Sequence, residues 1–115
     1  MRLENSTRRK EIPMSLVDVV LDAAADTRLH STAINTVALT AQYAGDDGVV
    51  GLDEDGRSLA DPRVVAEHLG AGASTVAKAF IRLENLGYIE WTRGWKSGPH
   101  DRPGSIRIRR RSAAA

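Results

Sequence analysis

Residues 61–89 constrain the fold more than any other part of the chain, because they carry two helix signals separated by a short turn. Asp61 is a residue type that caps helix N-termini, and Pro62 fits the first helical position, where no N–H is required. Apolar residues follow on one face until Gly70 ends the pattern. The small residues 70–72 then predict a bend at which two helices cross steeply.

The second helix of this segment is predicted over residues 73–86. Its apolar residues recur at helical spacing on one side: Val76, Ala79, Phe80, Leu83 and Leu86. Gly87 can adopt the left-handed conformation that closes a helix. The other side, expected to face solvent, carries Ser74, Thr75, Ala77, Lys78 and Arg82.

Two strands are predicted after this helix. Apolar and polar residues alternate over residues 88–95, and isoleucine alternates with arginine over residues 105–109. Glycines and prolines in residues 96–104 argue against regular structure there, so a hairpin with a long tip is expected. For Trp91 and Trp95 we favour core packing beneath the hairpin over base stacking, because a hairpin needs an apolar face.

The N-terminal region adds another helix. Residues 1–12 are polar and basic and are expected to form a mobile arm, and Pro13 opens a helix predicted over residues 14–27. On that helix Asp18, Asp22 and Asp26 form one narrow acidic stripe, and apolar residues occupy most of the remaining circumference. The apolar surface is either buried entirely within one chain or shared with a second copy, and we favour a homodimer through residues 14–27.

A further helix is predicted over residues 31–44, with Ile34, Val37, Ala38 and Ala41 on its inward face. Residues 48–52 are predicted to form a short strand and residues 53–56 a turn. A calcium loop would need a glycine at its sixth position and a glutamate at its twelfth. If Gly56 is the sixth residue, the twelfth is Pro62, so the acidic loop is interpreted as a solvated turn.

Together these elements resemble the winged helix-turn-helix superfamily over residues 32–109. The most specific part is GAGASTVAKAFIRLENLGYI, which is similar to the turn, recognition helix and first wing strand of that family. The resemblance implies an α+β fold with three core helices, an additional N-terminal helix and a C-terminal β-hairpin wing. Residues 32–39 and the Gly-Asp-Asp-Gly loop are similar to domains of plasmid and phage replication proteins and small regulators. Gly72 departs from the family, which often has Ser or Thr there as a cap.

The resemblance implies sequence-specific binding of double-stranded DNA. Residues 73–86 would lie in the major groove, and the wing over residues 91–109 would meet the backbone or the minor groove. Polar side chains of the helix would contact bases or phosphate, and basic side chains of the wing would contact phosphate. The expected DNA contacts are Ser74, Thr75, Lys78, Arg82, Arg93, Lys96, Arg102, Arg107 and Arg109.

Charge is distributed unevenly along the chain. Residues 91–111 hold seven Lys or Arg against one Asp, and residues 1–12 hold four against two acidic residues. Residues 13–90 hold five basic against twelve acidic side chains. A basic wing and a basic arm on an acidic body are expected of a protein that meets phosphate through two appendages. The alternative is that these charges are merely solvated.

Composition argues against several other classes of protein. The chain fits one domain over residues 13–110, and the absence of cysteine excludes disulfides and suits the cytoplasm. The longest apolar run, residues 16–25, is too short to span a membrane. His30, His68 and His100 lie far apart without a catalytic or metal-binding motif, so neither an enzyme nor a cofactor is expected. We interpret His68 as a helix-surface residue and residues 111–115 as a flexible tail.

Three functions therefore stay open. Transcriptional regulation is favoured. A plasmid or phage replication or partition protein would instead load cooperatively on repeated DNA sites. A protein-binding adaptor with this fold would show little effect of salt on its association with nucleic acid, because it would release few counterions.

Overall fold

The described chain contains four helices and four short strands. A computed structural model describes residues 11–97, 100–102 and 104–109, with only the backbone for residues 95–97 and 100–102. The helices are α1 (Met14–Ala25), α2 (Ser31–Gln42), α3 (Pro62–Leu69) and α4 (Ala73–Asn85), and the strands are β1 (Ile89–Thr92), β2 (Trp95–Ser97), β3 (His100–Arg102) and β4 (Ser105–Ile108). The predicted α+β class is confirmed. Most of the expected arm and all of the expected tail lie outside the described residues.

None of these four helices has the length and apolar character needed to cross a membrane. This observation agrees with the interrupted apolar run that was noted in the sequence over residues 16–25.

Helix α3 begins and ends where the sequence predicts. The Asp61 carboxylate accepts a hydrogen bond from the backbone N–H of Arg63 at 2.9 Å, and Pro62 occupies the first turn. Gly70 is left-handed, with φ 66° and ψ 33°. The next N–H, that of Ala71, donates to the carbonyl of Ala66 at 3.0 Å, which satisfies the helix end.

Helix α4 follows the three-residue turn and buries the predicted face. Val76, Ala79, Phe80 and Leu83 are all buried. Gly72 precedes the helix and supplies no side-chain cap, which confirms the departure noted in the sequence. At the other end Gly87 has φ 87°, and the N–H of Tyr88 donates to the carbonyl of Leu83 at 2.9 Å. Local chemistry therefore fixes both ends of the helix pair.

Strands β1 and β4 form the predicted antiparallel hairpin, in which Ile89 pairs with Ile108. Residues 48–50 lie along the other edge of β4. There the N–H of Val50 donates to the carbonyl of Ile106 at 3.0 Å, and the N–H of Ile108 donates to the carbonyl of Gly48 at 2.7 Å. The predicted strand over residues 48–52 is thus reduced to isolated bridges that widen the hairpin into a small sheet.

The hairpin tip differs from the prediction. Strands β2 and β3 pair antiparallel, with Trp95 opposite Arg102 and Ser97 opposite His100, although no regular structure was expected over residues 96–104. The strand predicted over residues 88–95 is interrupted at residues 93–94. The six paired residues contain neither glycine nor proline. The glycines and prolines of this segment occupy positions 98, 99, 103 and 104, outside the pairing, so they do not interrupt the ladder.

Trp91 joins the hairpin to the helical core. Its ring meets Phe80 edge-on, with ring centroids 4.8 Å apart at 86°, and its indole N–H donates to the carbonyl of Ala60 at 2.9 Å. Phe80 itself is fully buried. The packing role predicted for Trp91 is confirmed, whereas the side chain of Trp95 lies outside the described part of the chain.

The two N-terminal helices are shorter than predicted, because α1 ends at Ala25 and α2 at Gln42. On the predicted inward face of α2, Val37 and Ala41 are buried and Ile34 packs against the core at partial burial, and the helix also buries Thr36 and Thr40, which were not predicted. The hydroxyl of Thr36 donates to the carbonyl of Thr32, and that of Thr40 to the carbonyl of Thr36, each at 2.8 Å. These hydrogen bonds to carbonyls of the same helix offset the free-energy cost of burying the two hydroxyls.

Candidate nucleic-acid interface

The outward face of α4 is the first part of the candidate interface. A rotation of about 100° per residue places one stripe opposite the buried side. The stripe consists of Ser74, Lys78, Ile81 and Asn85, and all four are exposed. Thr75 and Arg82 flank it and are exposed as well. The structure therefore brings the four predicted residues of this helix onto one accessible surface.

Two residues of that stripe were not selected from the sequence. Ile81 is 41% exposed although it is aliphatic, and Asn85 is exposed at the last position of the helix. The signal was present in the spacing. Ile81 follows Lys78 by three residues, and Asn85 follows Ile81 by four, which keeps all of them on one face.

Arg93 is a wing residue that packs over the Trp91 ring. Its guanidinium carbon lies 4.1 Å from the centroid of the Trp91 ring, and the residue is exposed. Such a cation–π contact orients the guanidinium and leaves its N–H groups able to bind an anion. Lys96 and Arg102 belong to the tip ladder by their backbone, and their side chains lie outside the described part.

Arg107 of β4 and Arg109, which directly follows β4, are both exposed, in agreement with the predicted alternation, whereas Ile106 and Ile108 are buried in the core. Both arginines have partners within the protein. The Nε of Arg107 donates to the backbone carbonyl of Asp47 at 3.2 Å, and an Nη of Arg109 lies 3.6 Å from a carboxylate oxygen of Glu90. The bond to the Asp47 carbonyl orients Arg107 and leaves its charge intact, whereas the exposed Glu90 carboxylate offsets part of the charge of Arg109.

The acidic loop over residues 53–56 is a turn whose residues 54–56 are exposed, as expected, but Asp53 at its start is buried. The side chain of Asp53 is 1% exposed. Its carboxylate accepts hydrogen bonds from the backbone N–H groups of Arg57 at 2.8 Å and Asp55 at 2.9 Å, and it lies 3.0 Å from the Nε2 of His68. The Arg57 N–H and then the His68 ring lower the pKa of Asp53 to about 2. Burial is therefore compensated by a complete set of donors.

His68 is a helix-surface residue, as expected, but its ring also joins the hydrogen-bond cluster around the buried Asp53 carboxylate. Its side chain is 22% exposed, and its ring lies edge-on to Tyr43 with centroids 5.9 Å apart. The Arg57 guanidinium also forms a salt bridge with Glu67 at 2.7 Å, which is a second contact between the loop and α3. Within the described ranges, no group of three or more His, Asp or Glu side chains could hold a metal ion. The cluster thus anchors α3.

Acid titration is expected to test the role of Asp53. Its folded-state pKa lies below the ordinary value of 3.8, so its charged form stabilises the fold above about pH 4, and that contribution is lost as the pH falls toward 2. In Asp53→Asn, the urea midpoint should decline less between about pH 5 and pH 2 than in the unmodified chain. Equal declines in the two proteins would contradict the buried hydrogen-bond set.

Asp26 provides a reference for that titration. Asp26 does not belong to the predicted acidic stripe with Asp18 and Asp22, because α1 ends at Ala25. Its carboxylate accepts hydrogen bonds from the hydroxyl of Tyr88 at 2.8 Å and from Arg28 at 2.7 Å. Arg28 is the main cause of an Asp26 pKa well below its usual range. Asp26→Asn should therefore also reduce the decline of the urea midpoint between about pH 5 and pH 2. The double variant should show the smallest decline, because the two sites act independently.

The outer surface of α1 is partly apolar. Leu16, Val19 and Ala23 are buried in the core. Met14 is 88% exposed and Leu21 is 60% exposed. The broad apolar circumference noted in the sequence is therefore divided, because one side is buried within the chain and the other faces solvent.

Comparison of the chain with models of known protein families, with curated proteins and with solved structures finds no match. The case for a function therefore rests on the chain's own residues and geometry.

Proposed function

We propose that this protein binds double-stranded DNA sequence-specifically through a winged helix-turn-helix domain. In this proposal it acts as a transcriptional regulator in the cytoplasm and is not an enzyme. The observation that carries the proposal is the exposed stripe on α4, which follows α3 after a three-residue turn and precedes an antiparallel hairpin. A helix presented in this way fits the major groove of B-DNA. The four helices and the hairpin are compatible with that layout.

Contacts within the proposed interface divide into two kinds. Ser74, Thr75 and Lys78 project from the first half of α4, where the helix dipole also favours phosphate. Lys78 is long enough to donate to a guanine edge. Arg93 is assigned to phosphate, because the Trp91 ring already holds its guanidinium. We assign Lys96, Arg102 and Arg107 to phosphate on charge, and we expect less from Arg109 because Glu90 offsets part of its charge.

Salt dependence tests the proposal directly. Sequences bound by the protein are first selected from random duplexes, and affinity is then measured by anisotropy between about 50 and 200 mM salt. We expect a steep log–log slope, and Arg93→Ala should reduce its magnitude by about one unit. Arg28→Gln is the matched control, because it removes the same charge from a residue paired with Asp26. Absence of duplex binding at the lowest salt would refute the proposal.

Lys78→Ala separates base recognition from phosphate binding. On the best selected site it should weaken binding by about 1–3 kcal/mol and should flatten the preference at one position. On a scrambled duplex at the same salt concentration the loss should be smaller, because that duplex lacks the recognised base. Equal losses on both duplexes would reassign Lys78 to the phosphate backbone.

A homodimer through α1 is the second part of the proposal. Met14, Val17, Leu21 and Ala24 are spaced by three, four and three residues, as in the seam of a helix pair. Stable interfaces bury roughly 1,200–2,000 Å². A single helix with this few exposed apolar side chains provides less, so a second copy should associate weakly alone and more strongly on paired half-sites about 10 base pairs, or a multiple, apart. Sedimentation that shows only monomer, with and without DNA, would refute the dimer.

The two alternative functions give different results in the same experiments. A plasmid or phage replication or partition protein would load cooperatively on tandem repeats rather than on an isolated palindrome. A protein-binding adaptor would associate with DNA weakly and with little change over the salt series.

A further inference from the structure

Ile81 occupies an unusual position for an aliphatic side chain. The other large apolar residues of α4, Val76, Phe80 and Leu83, are fully buried, whereas Ile81 is 41% exposed. It lies near the centre of the outward stripe, almost opposite the buried face. Isolated apolar residues are common on protein surfaces, so exposure alone decides nothing. Its neighbours on the stripe are more informative.

Lys78 precedes Ile81 by one turn, and Asn85 follows it by one turn, so three chemically different side chains stand in a row. In the major groove, lysine is suited to the acceptors of guanine and asparagine to the edge of adenine. An aliphatic side chain between them is suited to the one apolar group in that groove, which is the C5-methyl of thymine. Each member of the row thus corresponds to a different base feature.

We propose that Ile81 is a specificity-determining residue that recognises a T·A base pair by packing against the thymine methyl group. This inference rests on the proposed function, because it requires α4 to lie in the major groove. It also extends the recognition surface beyond the first half of the helix, toward Asn85 at its last position. Removal of one methyl group from water then gives the base preference.

Deoxyuridine is the probe for this contact, because it pairs like thymidine but lacks the methyl group. Each thymine of the best selected site is replaced in turn, and the affinities of the unmodified protein and of Ile81→Ala are measured at one salt concentration. One replacement should weaken binding by the unmodified protein about four-fold, the factor for one buried methyl group. The same replacement should have no effect on Ile81→Ala.

Leu52→Ala is the matched control. Leu52 is also an exposed aliphatic residue, 60% exposed, but it lies outside α4. This variant should keep the full sensitivity to deoxyuridine.

Two outcomes overturn the inference while leaving DNA binding intact. In the first, no replacement weakens binding by the unmodified protein. In the second, Ile81→Ala remains equally sensitive, which would show that another group contacts the methyl. Failure of the unmodified protein to bind any duplex would instead refute the proposed function itself, together with the role of Ile81.

Discussion

Gly48→Ala is expected to lower the free energy of unfolding by about 2–5 kcal/mol, since it combines backbone strain with the loss of a sheet hydrogen bond. Gly48 has φ 86°, a conformation that side chains with a Cβ rarely adopt. An added Cβ would also overlap the carbonyl oxygen of Ile108. The chain would then have to move away from β4 and lose the bond from the Ile108 N–H to the Gly48 carbonyl.

Gly56→Ala provides the control for this prediction. Gly56 has a similar φ of 78°, but an added Cβ there would meet nothing within 4 Å. Its variant should show the strain alone, roughly 1–2 kcal/mol. Urea unfolding followed by far-UV circular dichroism gives both values. If the two variants lost equal stability, the close approach of Gly48 to β4 would be contradicted.

Phe80→Ala should cost about 3–5 kcal/mol, the range for truncating a buried aromatic residue. Phe80 is fully buried in the core, and its ring packs edge-on against the indole of Trp91. The loss therefore includes the cavity that remains and the edge-on aromatic contact.

Fluorescence of Trp91 reports the same change at one position. In a Trp95→Phe background Trp91 is the only indole, and its emission should shift to longer wavelength once Phe80 no longer covers it. Ile81→Ala is the control in the adjacent position. Because Ile81 is exposed, that variant should lie within about 0.5 kcal/mol of the unmodified chain and keep its emission. An unshifted emission in Phe80→Ala would argue against the described packing.

Elements governed by neighbouring residues could be predicted from the sequence. The helix pair and its ends follow from Asp61, Pro62, Gly70 and Gly87, whose preferences act within a few positions. The exposed residues of α4 follow from the helical period alone. The same period places Ile81 on the exposed face, although its aliphatic character alone favours burial.

Contacts between distant residues could not be predicted in this way. Asp53 and His68 lie fifteen positions apart, and the partner of Asp53 becomes visible only when the loop folds against α3. Arg107 similarly meets the carbonyl of Asp47, sixty positions away. Periodicity carries no information about such pairs, because they depend on how the elements pack. Neither contact can be found by counting charges along the chain.

The bond between Tyr88 and Asp26 joins the end of α1 to the residue before β1, across 62 positions of sequence. Together with the buried side chains of α1, it makes the first helix a structural part of the domain rather than an appendage. A fragment beginning after Asp26 would leave the Tyr88 hydroxyl without that carboxylate and would expose the core surface that Leu16 covers. The smallest unit that folds independently should therefore extend from α1 through β4. We do not expect α3 and α4 to fold as a fragment on their own.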